Sequence, residues 1–475
     1  MFGSTAEALG YIRSHEIAMV DLKVTGVNGQ WLHLTMPAAR LNEGHFESGV
    51  GYDGSSGSGF AQVESGDVAA RPVLETAFVD PIYEHATLSF LCETVTADTH
   101  EPFPFDPRTI AQKAVQAMQR RNVAKKALMA PEFEFHVFDD VRIVNTPYRS
   151  GVHIRSSESG PKALAPAIPP KGGYLRVPPA DRLQDLRSAI ALTLGEIGVD
   201  VRYHHHEVGG PGQCEIELDM TDLVRAADQA MMVKYIVKNL SRQYGLLATF
   251  MPKPIHGESG NGMHVHQRLV GPDGQPLFYD GTSGQYADFS ALGLNYIAGL
   301  LQHGRALTAM TNPSTNSFKR LVEGYEAPVN LFFSLGNRSA AIRIPRYAVT
   351  PDKKRMEYRP PDGTANVYLM LAAMLMAGLD GIKNRTFETV KDHTFGPHDV
   401  DIARQTSEFK NGIEALPRSL RDALAALEAD HAFLSADDVF PEPFIQQWIQ
   451  SKLANEADAV DNRPHPYEFE LYFDA

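Results

Sequence analysis

Side chains that could bind metal ions recur two residues apart in four segments that alternate like β-strands. These segments are residues 132–138, 215–218, 264–266 and 357–359. Successive side chains of a strand point to opposite faces, so each segment has one polar face and one apolar face. We expect the four strands to form a curved sheet whose polar face lines a charged cavity. Carboxylates with an occasional imidazole suit Mg²⁺ or Mn²⁺.

The candidate metal ligands are five glutamates and one histidine: Glu132, Glu134, Glu207, Glu215, His264 and Glu357. Their negative charges would nearly neutralise two divalent cations, and substrate phosphate oxygens would complete the coordination of each ion. A single glutamate is more often a surface residue, so the interpretation as a metal site depends on the repetition of these acids in several alternating segments. The run 204–206 is three histidines, but alternation sends neighbours to different faces, which favours packing and supporting roles there.

Cationic residues crowd one stretch of about forty residues. They are Lys319, Arg320, Arg338, Arg343, Arg346, Lys353, Lys354, Arg355 and Arg359. Arginine binds carboxylate and phosphate bidentately and stabilises a transferring phosphoryl group. A salt-bridged surface is the alternative, yet Arg343 and Arg359 lie among apolar residues in strand-like runs. The glycine-rich segment 257–264 could let backbone approach a ligand closely, although it fits neither common phosphate-binding fingerprint. The residues alone indicate phosphoryl transfer from a nucleotide to an acid, by a ligase or a kinase.

Composition excludes several classes. The 475 residues carry a formal charge of -14, which argues against nucleic acid or an anionic membrane as a partner. Two cysteines, Cys92 and Cys214, make neither a disulfide framework nor a thiolate zinc site. The N-terminus lacks a secretory apolar region, and the longest apolar run, 369–379, is about half a membrane span. We therefore expect a cytoplasmic enzyme.

The pattern along the chain predicts an α+β protein of two domains, 1–106 and 107–475, divided at the proline-rich stretch 102–108. A helix over 5–16 and a hairpin over 17–37 open the first domain. Helices are predicted over residues 109–120, 180–197, 222–244, 291–310, 365–384 and 416–428. Residues 385–475 form a mostly helical end of the second domain.

Many short motifs resemble type I glutamine synthetase, in the order of that family and across nearly the whole chain. Among them are Asp53-Gly54-Ser55-Ser56, Lys171-Gly172-Gly173-Tyr174, His205-His206-Glu207-Val208, Phe250-Met251-Pro252-Lys253-Pro254, Lys319-Arg320-Leu321-Val322 and Gly324-Tyr325-Glu326-Ala327-Pro328. The resemblance implies a β-grasp-like N-terminal domain, followed by a catalytic domain whose curved antiparallel sheet lines the active site. It also implies ATP-dependent joining of glutamate and ammonia through γ-glutamyl phosphate, in a dodecamer of two hexameric rings.

The resemblance also assigns roles to individual residues. Glu134, Glu207 and Glu215 correspond to ligands of one metal ion, and Glu132, His264 and Glu357 to ligands of a second. Glutamate-binding positions are Ser259, Gly260, His264, Arg320, Glu326 and Arg359, and ATP-binding positions are His266, Arg338, Arg343 and Arg355. The ammonium site corresponds to Asp53, Ser56, Tyr174, Glu207 and Glu326, with Asp53 supplied by the neighbouring subunit and Asp67 near that interface. Catalytic roles fall to Asp53, Glu326, Arg338 and Arg359, and Glu326 lies on a flap that excludes water.

Some positions depart from the family pattern. Ser259 replaces an asparagine beside the glutamate amino group, Arg268 replaces a nucleotide-contacting serine, and Arg202 replaces a glutamate. No tyrosine occurs between Tyr368 and Tyr467, so we expect no adenylylation of the loop over 391–397.

Two alternatives remain open: a γ-glutamyl-amine or polyamine ligase of the same fold, and a non-catalytic scaffold. The acids of the ammonium site oppose the first alternative. The full set of metal ligands and arginines opposes the second.

Overall fold

The N-terminal part of the chain is a six-stranded sheet with short helices. The computed structural model describes residues 1–57, 66–325, 327–389, 394–400 and 402–475. The elements are α1 (Thr5–Ser14), β1 (Met19–Thr25), β2 (Trp31–Pro37), α2 (Glu43–Ser48), β3 (Val50–Asp53), α3 (Gly54–Gly57), β4 (Asp67–Pro72), β5 (Phe78–Val79) and β6 (Thr87–Thr96). The strand order is β2-β1-β6-β4-β3, with β1 parallel to β6 and β5 added beside β6. The predicted first hairpin and the β-grasp-like fold are confirmed.

A nine-stranded sheet organises the rest of the chain. Its strands are β7 (Lys126–Phe138), β10 (Val201–His206), β11 (Gln213–Leu218), β12 (Thr221–Asp222), β13 (Leu247–Thr249), β14 (Val265–Val270), β15 (Asn330–Leu335), β16 (Ala340–Ile344) and β17 (Met356–Tyr358), while β8 (Asp140–Thr146) and β9 (Arg149–Arg155) form a separate hairpin. The order is β10-β11-β7-β14-β17-β16-β15. β15 and β16 run parallel and the other pairs are antiparallel. The sheet curls as a half-barrel, so the expected curved antiparallel sheet is confirmed apart from that one parallel pair.

Helices cover the apolar side of this sheet and extend to the C-terminus. They are α4 (Pro107–Arg120), α5 (Gln184–Glu196), α6 (Leu223–Gln243), α7 (Ala291–Gln302), α8 (Gly304–Thr311), α9 (Ser317–Arg320), α10 (Val367–Asn384), α11 (Thr386–Thr389), α12 (Ser407–Asn411), α13 (Leu420–Ala429), α14 (Ala432–Ser435), α15 (Glu442–Lys452), α16 (Asp458–Asp461) and α17 (Pro466–Tyr472). α10 is long and apolar enough to cross a membrane by length and composition alone, but 78% of it is buried within the protein. It is a core helix, as the sequence predicts.

Helix α10 packs closely against α7 because glycines lie at their contact. A Cβ added at Gly299 would lie 2.7 Å from the Gly381 Cα, closer than real Cβ contacts allow. Small residues let two helix backbones approach in this way, so larger side chains at either position would force the helices apart. The contact anchors α7 to the main apolar core, which also includes buried residues of α4, α6 and α8.

Buried polar contacts join the N-terminal sheet to the helices of the second part. Lys23 Nζ lies 2.5 Å from Asp21 and 3.2 Å from Asp80, and it faces the ring of Tyr235 on α6 at 4.7 Å. The Tyr235 hydroxyl donates to Asp80 at 3.2 Å. The Asn366 amide, which caps α10, donates to the carbonyls of residues 26 and 27. These contacts fix the two parts against each other, while the domain boundary at residue 106 stays a prediction.

The sequence prediction of one helix over 291–310 is wrong, because the helix breaks at His303. This buried imidazole contacts two acids: Nδ1 lies 2.8 Å from Asp430, and Nε2 lies 3.1 Å from Asp380 on α10. Its ring also stacks on Phe433 at 4.1 Å. Burial lowers the pKa of His303, but the two carboxylates outweigh burial and raise it to about 9. His303 is therefore a charged link between three helical segments at neutral pH.

We expect His303→Gln to remove a pH-dependent part of the stability. The pKa of His303 is higher in the folded state than its ordinary value of 6.5, so its contribution is complete below about pH 6.5. It is lost as the pH rises through 9. The stability difference between wild type and variant should fall across this range by at most about 3 kcal/mol, at about 1.4 kcal/mol per pKa unit. Urea unfolding at pH 6 and pH 9.5 measures it, and a constant difference would contradict the assignment.

Candidate active site

The polar face of the curved sheet and several connecting segments enclose a cavity of about 320 Å³. Thirteen of the residues singled out from the sequence line it: Glu132, Glu134, Tyr174, Glu207, Glu215, Ser259, Gly260, His264, Arg320, Arg338, Arg343, Glu357 and Arg359. They come from β7, β11, β16, β17 and the connections between strands. Residues more than two hundred positions apart in the chain therefore converge on one site.

Strand register sets the order of these side chains across the sheet. Glu134 on β7 pairs with Glu215 on β11, which pairs in turn with His205 on β10. One step along, Glu132 pairs with Glu217, which is cross-strand from Tyr203. The structure therefore sets acids directly opposite acids on one face. Cys214, which directly precedes Glu215 on this strand, is fully buried, as alternation predicts.

One potential metal-binding group combines Glu132, His264 and Glu357. A ligand atom from each lies within 4.8 Å of the other two. His264 Nδ1 is 3.3 Å from Glu132 Oε2 and 3.7 Å from Glu357 Oε1. Two carboxylates and one imidazole are a donor set suited to a divalent cation such as Mn²⁺ or Mg²⁺. These are the three residues expected for the second metal ion.

A second group contains His205, Glu207 and Glu215, again with ligand atoms within 4.8 Å of one another. His205 Nε2 lies 3.4 Å from Glu215, and its Nδ1 lies 3.7 Å from Glu207. The sequence interpretation placed Glu134 with these two acids and gave the histidine run packing roles. In the structure Glu134 lines the same cavity but accepts a hydrogen bond from the Gly262 amide at 2.6 Å.

The histidine run divides as alternation requires. His204 faces α5, where its ring lies 3.3 Å from the Ser188 hydroxyl, and buried His206 lies 3.2 Å from Glu158. His205, between them, faces the cavity. The two outer histidines pack as expected, and His205 contacts two candidate metal ligands, so it fits the supporting role that was the other half of the expectation.

Arginines hold the acidic cluster together. Arg343 Nη1 donates to Glu357 Oε2 at 2.5 Å, and Arg359 Nη1 donates to the other oxygen, Oε1. Burial opposes ionisation of Glu357, but Arg359 leads the interactions that lower its pKa to about 2. For Glu215 the balance is reversed, since burial and neighbouring acids raise its pKa despite the contact with His205. The arginines thus favour the ionised form of Glu357, whereas burial among other acids opposes ionisation of Glu215.

Arg320 occupies the glycine-rich side of the cavity. It is buried, and its donors contact the carbonyl oxygens of Pro360, Pro361 and Arg359 and the His264 ring at 3.2 Å. The three carbonyl oxygens carry no net charge, so they orient the guanidinium without neutralising it. Burial lowers the pKa of Arg320. A Cβ added at Gly260 would lie 2.5 Å from the Pro252 carbonyl oxygen and 2.8 Å from Arg320 Cγ, so only glycine fits there.

Some expected site residues lie elsewhere. Asp53 is exposed on the edge of the N-terminal sheet and binds the Ser55 and Ser56 hydroxyls, which lower its pKa to about 2. Neither Asp53 nor Ser56 lines the cavity of its own chain. His266 is buried behind Glu132, at 2.7 Å, and Arg355 reaches the site only through the Tyr347 hydroxyl. Glu326, and residues 391–393 of the loop expected to lack a modified tyrosine, lie outside the described residues.

Other residues of the site were missed by the sequence interpretation. Tyr325, beside the expected flap residue, has its ring 4.0 Å from Lys171 Nζ and 3.6 Å from Lys253 Nζ. Burial, followed by the charge of Lys171, lowers the pKa of Lys253 to about 8. The three residues come from three loops without periodicity. Only the Gly-Tyr-Glu motif hinted at a role for this tyrosine.

A curved sheet with two carboxylate–histidine groups, a row of arginines and an added β-grasp domain defines a class of nucleotide- and cation-dependent ligases. Residues 104–472 match the family model described as glutamine synthetase, catalytic domain, and residues 16–97 match glutamine synthetase, beta-Grasp domain. The glutamine synthetase of Nostoc sp. is 45% identical over 98% of this chain and 99% of its own length. That of Frankia alni is 42% identical over the full length of both. A structure of Plasmodium falciparum glutamine synthetase is similar with a TM-score of 0.87, at 27% identity over 99% of each chain.

The chain therefore belongs to the glutamine synthetase family, the glutamate–ammonia ligases. The predicted family and fold are confirmed.

We expect Glu357→Gln to destabilise the metal-free protein by about 3 kcal/mol, because two buried or half-buried arginines lose their common carboxylate. The same change should weaken divalent cation binding at the group with Glu132 and His264. Urea unfolding in the presence of a chelator measures the first effect. Glu428→Gln, on the exposed side of α13, is the matched control and should leave stability within about 0.5 kcal/mol of wild type. Equal stability of both variants would show that the arginine contacts contribute nothing.

Proposed function

We propose that this chain joins ammonia to L-glutamate at the expense of ATP, by way of γ-glutamyl phosphate. A γ-carboxylate oxygen of glutamate attacks the terminal phosphorus of ATP and ADP leaves. Ammonia then attacks the acyl carbon and phosphate leaves. The observation that supports this most is the convergence of two carboxylate–histidine groups and four arginines on one cavity beside a glycine-rich loop. Phosphorylation is needed because a carboxylate is otherwise a poor electrophile.

Glutamate would bind on the side formed by Ser259, Gly260 and Arg320. The guanidinium of Arg320 is pre-oriented by carbonyl oxygens and His264, so it can meet a carboxylate without side-chain rearrangement. The bare backbone at Gly260 permits a close approach of the amino acid. Glu326 and Arg359 are the further glutamate-binding residues in this proposal.

ATP phosphates would lie toward Arg338, Arg343 and Arg355, with His266 behind them. Arg343 and Arg355 both lie near the ring of Tyr347, at 6.0 and 5.2 Å, which holds the two guanidinium groups on one side of the cavity. Arginine donors directed at the transferring phosphoryl group stabilise its charge during transfer. Divalent cations held by the two carboxylate–histidine groups, with Glu134 beside them, would supply additional charge neutralisation to ATP.

The ammonium site would combine Tyr174, Glu207 and Glu326 with Asp53 and Ser56 from a neighbouring subunit. Asp53 is exposed and already ionised, and it lies outside the cavity of its own chain. An anion supplied by another copy would stabilise ammonium in this site, and the carboxylates gathered around it would share the proton that ammonium loses before attack. The proposal therefore includes an assembly of several copies, two hexameric rings in a dodecamer, and a cytoplasmic location.

Glutamine formation from glutamate, ATP and ammonium, measured in parallel with putrescine and ethanolamine as acceptors, tests the function. We expect activity with ammonium, dependent on Mg²⁺ or Mn²⁺, and little with either larger amine. Ser259→Asn probes the amino-acid side, where we expect a change in the KM for glutamate with ammonium preference retained. Activity with the larger amines alone would overturn the proposal in favour of an amine ligase.

We expect Tyr325→Leu to uncouple ATP use from glutamine formation. Loss of two cation–π contacts, each worth roughly 0.5–2 kcal/mol, loosens the segment beside Glu326 and admits water to the acyl phosphate. Tyr325→Phe keeps the ring and is the matched control. The ratio of phosphate released to glutamine formed, expected near one for wild type and Phe, should rise several-fold for Leu. A ratio that stays at one in the Leu variant would show that the lysine contacts do not govern closure.

A further inference from the structure

The row of paired acids across the sheet ends in a pair without carboxylates, His136 on β7 and Gln213 on β11. The register that sets Glu134 opposite Glu215 sets His136 opposite Gln213 one step further along the strands. Both side chains are fully buried, and so is that of Asn261 in the glycine-rich segment. Polar groups at this depth are costly without partners, so these three depend on the contacts that they make with each other and with backbone.

Asn261 connects the other two side chains. Its Oδ1 accepts hydrogen bonds from His136 Nδ1 at 2.8 Å and from Gln213 Nε2 at 3.1 Å. Its Nδ2 donates to the Met251 carbonyl oxygen at 2.8 Å, which fixes the orientation of the amide. Because Oδ1 can only accept, the imidazole donates through Nδ1. One asparagine in a loop is thus held by side chains from two neighbouring strands.

Gln213 connects this network to the substrate cavity. Its Nε2 also donates to the Gly260 carbonyl oxygen at 2.9 Å, and its Oε1 accepts from the Gly209 amide at 2.6 Å. Gln213 and Gly260 both line the cavity. At the other end the imidazole is closely packed, since a Cβ added at Gly209 would lie 3.0 Å from His136 Nε2. The hydrogen bonds therefore run from the buried part of the sheet to the backbone of the glycine-rich segment.

This segment is anchored on both sides of Ser259 and Gly260. Before them, buried Glu258 accepts from two backbone amides of other loops, at 3.0 and 3.3 Å. After them, the Asn261 amide donates to the Pro252 carbonyl oxygen at 2.7 Å. The two residues that the proposed function assigns to glutamate lie between these anchors. A backbone that is already ordered binds a substrate at a lower cost in conformational entropy.

We propose that His136, Asn261 and Gln213 are positioning residues for the amino-acid substrate, since together they fix the backbone at Gly260 from behind the cavity. They act through that backbone and do not touch the reacting atoms. ATP is assigned to the side near Arg343, so the network should govern binding of the amino acid and not of the nucleotide. The inference rests on the proposed function for the identity of the amino acid, whereas the fixed backbone can be measured without turnover.

Kinetics of His136→Leu and Asn261→Ala in the full-length protein test the proposal. Each change should raise the KM for glutamate about three- to tenfold, the range of one buried hydrogen bond, with kcat and the KM for ATP unchanged. The double variant should be no worse than the worse single variant, since both changes break one network. His136→Asn should recover most of the loss, because its amide nitrogen can donate in place of Nδ1.

Phe135→Leu is the matched control, because Phe135 is an equally buried neighbour on β7 whose side chain belongs to the apolar core. It should lower stability without changing the KM for glutamate. Additive effects in the double variant would overturn the proposal, and so would equal changes in the KM for glutamate and for ATP. Either result would mean that the three residues only support packing.

Backbone hydrogen exchange over residues 257–264, followed by mass spectrometry without substrates, is a second measurement. We expect faster exchange in His136→Leu and Asn261→Ala than in the wild type, and no change in Phe135→Leu. Unchanged exchange in the first two variants would overturn the proposal whatever their activity. A wild type that ligates no acceptor to glutamate would instead contradict the proposed function, and the exchange rates alone would then decide whether these residues fix the segment.

Discussion

Acidic side chains directly opposite one another on neighbouring strands are the constraint on which this site depends. Glu134 stands opposite Glu215, and Glu132 opposite Glu217, on the concave face of the sheet. Like charges in such positions repel, and burial makes the repulsion stronger. The sheet is held in register by its apolar face, where residues such as Phe133, Phe135 and Ile216 are fully buried. The free energy that positions the acids therefore comes from the opposite side of the same strands.

Positive groups then surround the acids in a fixed order. Glu357 has an arginine on each oxygen, so it stays ionised and oriented whether or not a cation is present. Within the described ranges, the acids of β7 and β11 contact histidines, and Glu217 also pairs with Arg202. The end of the cavity where two guanidinium groups share Glu357 therefore keeps net positive charge, whereas the acidic centre needs added positive charge. The first can bind phosphate and the second can bind cations, although both belong to one sheet face.

Much of this site can be predicted from the sequence because polar and apolar residues alternate along the strands that carry it. The polar positions of β7, β11 and β17 follow from alternation, and so does the placement of Cys214 in the core. For the histidine run 204–206, alternation separates neighbours without saying which of them faces the cavity, so packing and supporting roles could not be divided among the three. Register decides that, and register follows from strand pairing, which the sequence does not display. Glu217 lies in the same alternating segment as Glu215, but only strand pairing shows that it stands opposite Glu132.

Contacts made by loops and helix breaks were the least predictable. The position of Tyr325 between Lys171 and Lys253 depends on three loops meeting, and loops carry no periodicity. The break at His303 follows from acids on α10 and at the end of α13, which are 77 and 127 residues away. The apolar pattern of residues 291–310 predicts one helix, because a local pattern does not reveal an ion pair with distant residues. In the proposed function Asp53 acts in the cavity of another copy, and no pattern within one chain displays such a contact.

The buried lysine between the two parts of the chain limits how this protein can move. Lys23 is paired with two acids and enclosed by aromatic rings from both sides of the boundary. Rotating the N-terminal sheet about a hinge would expose the Lys23 charge or separate it from its acidic partners, at a cost of several kcal/mol. Domain closure of the kind many nucleotide enzymes use is therefore disfavoured. We therefore expect access to the cavity to depend on the loops that line it.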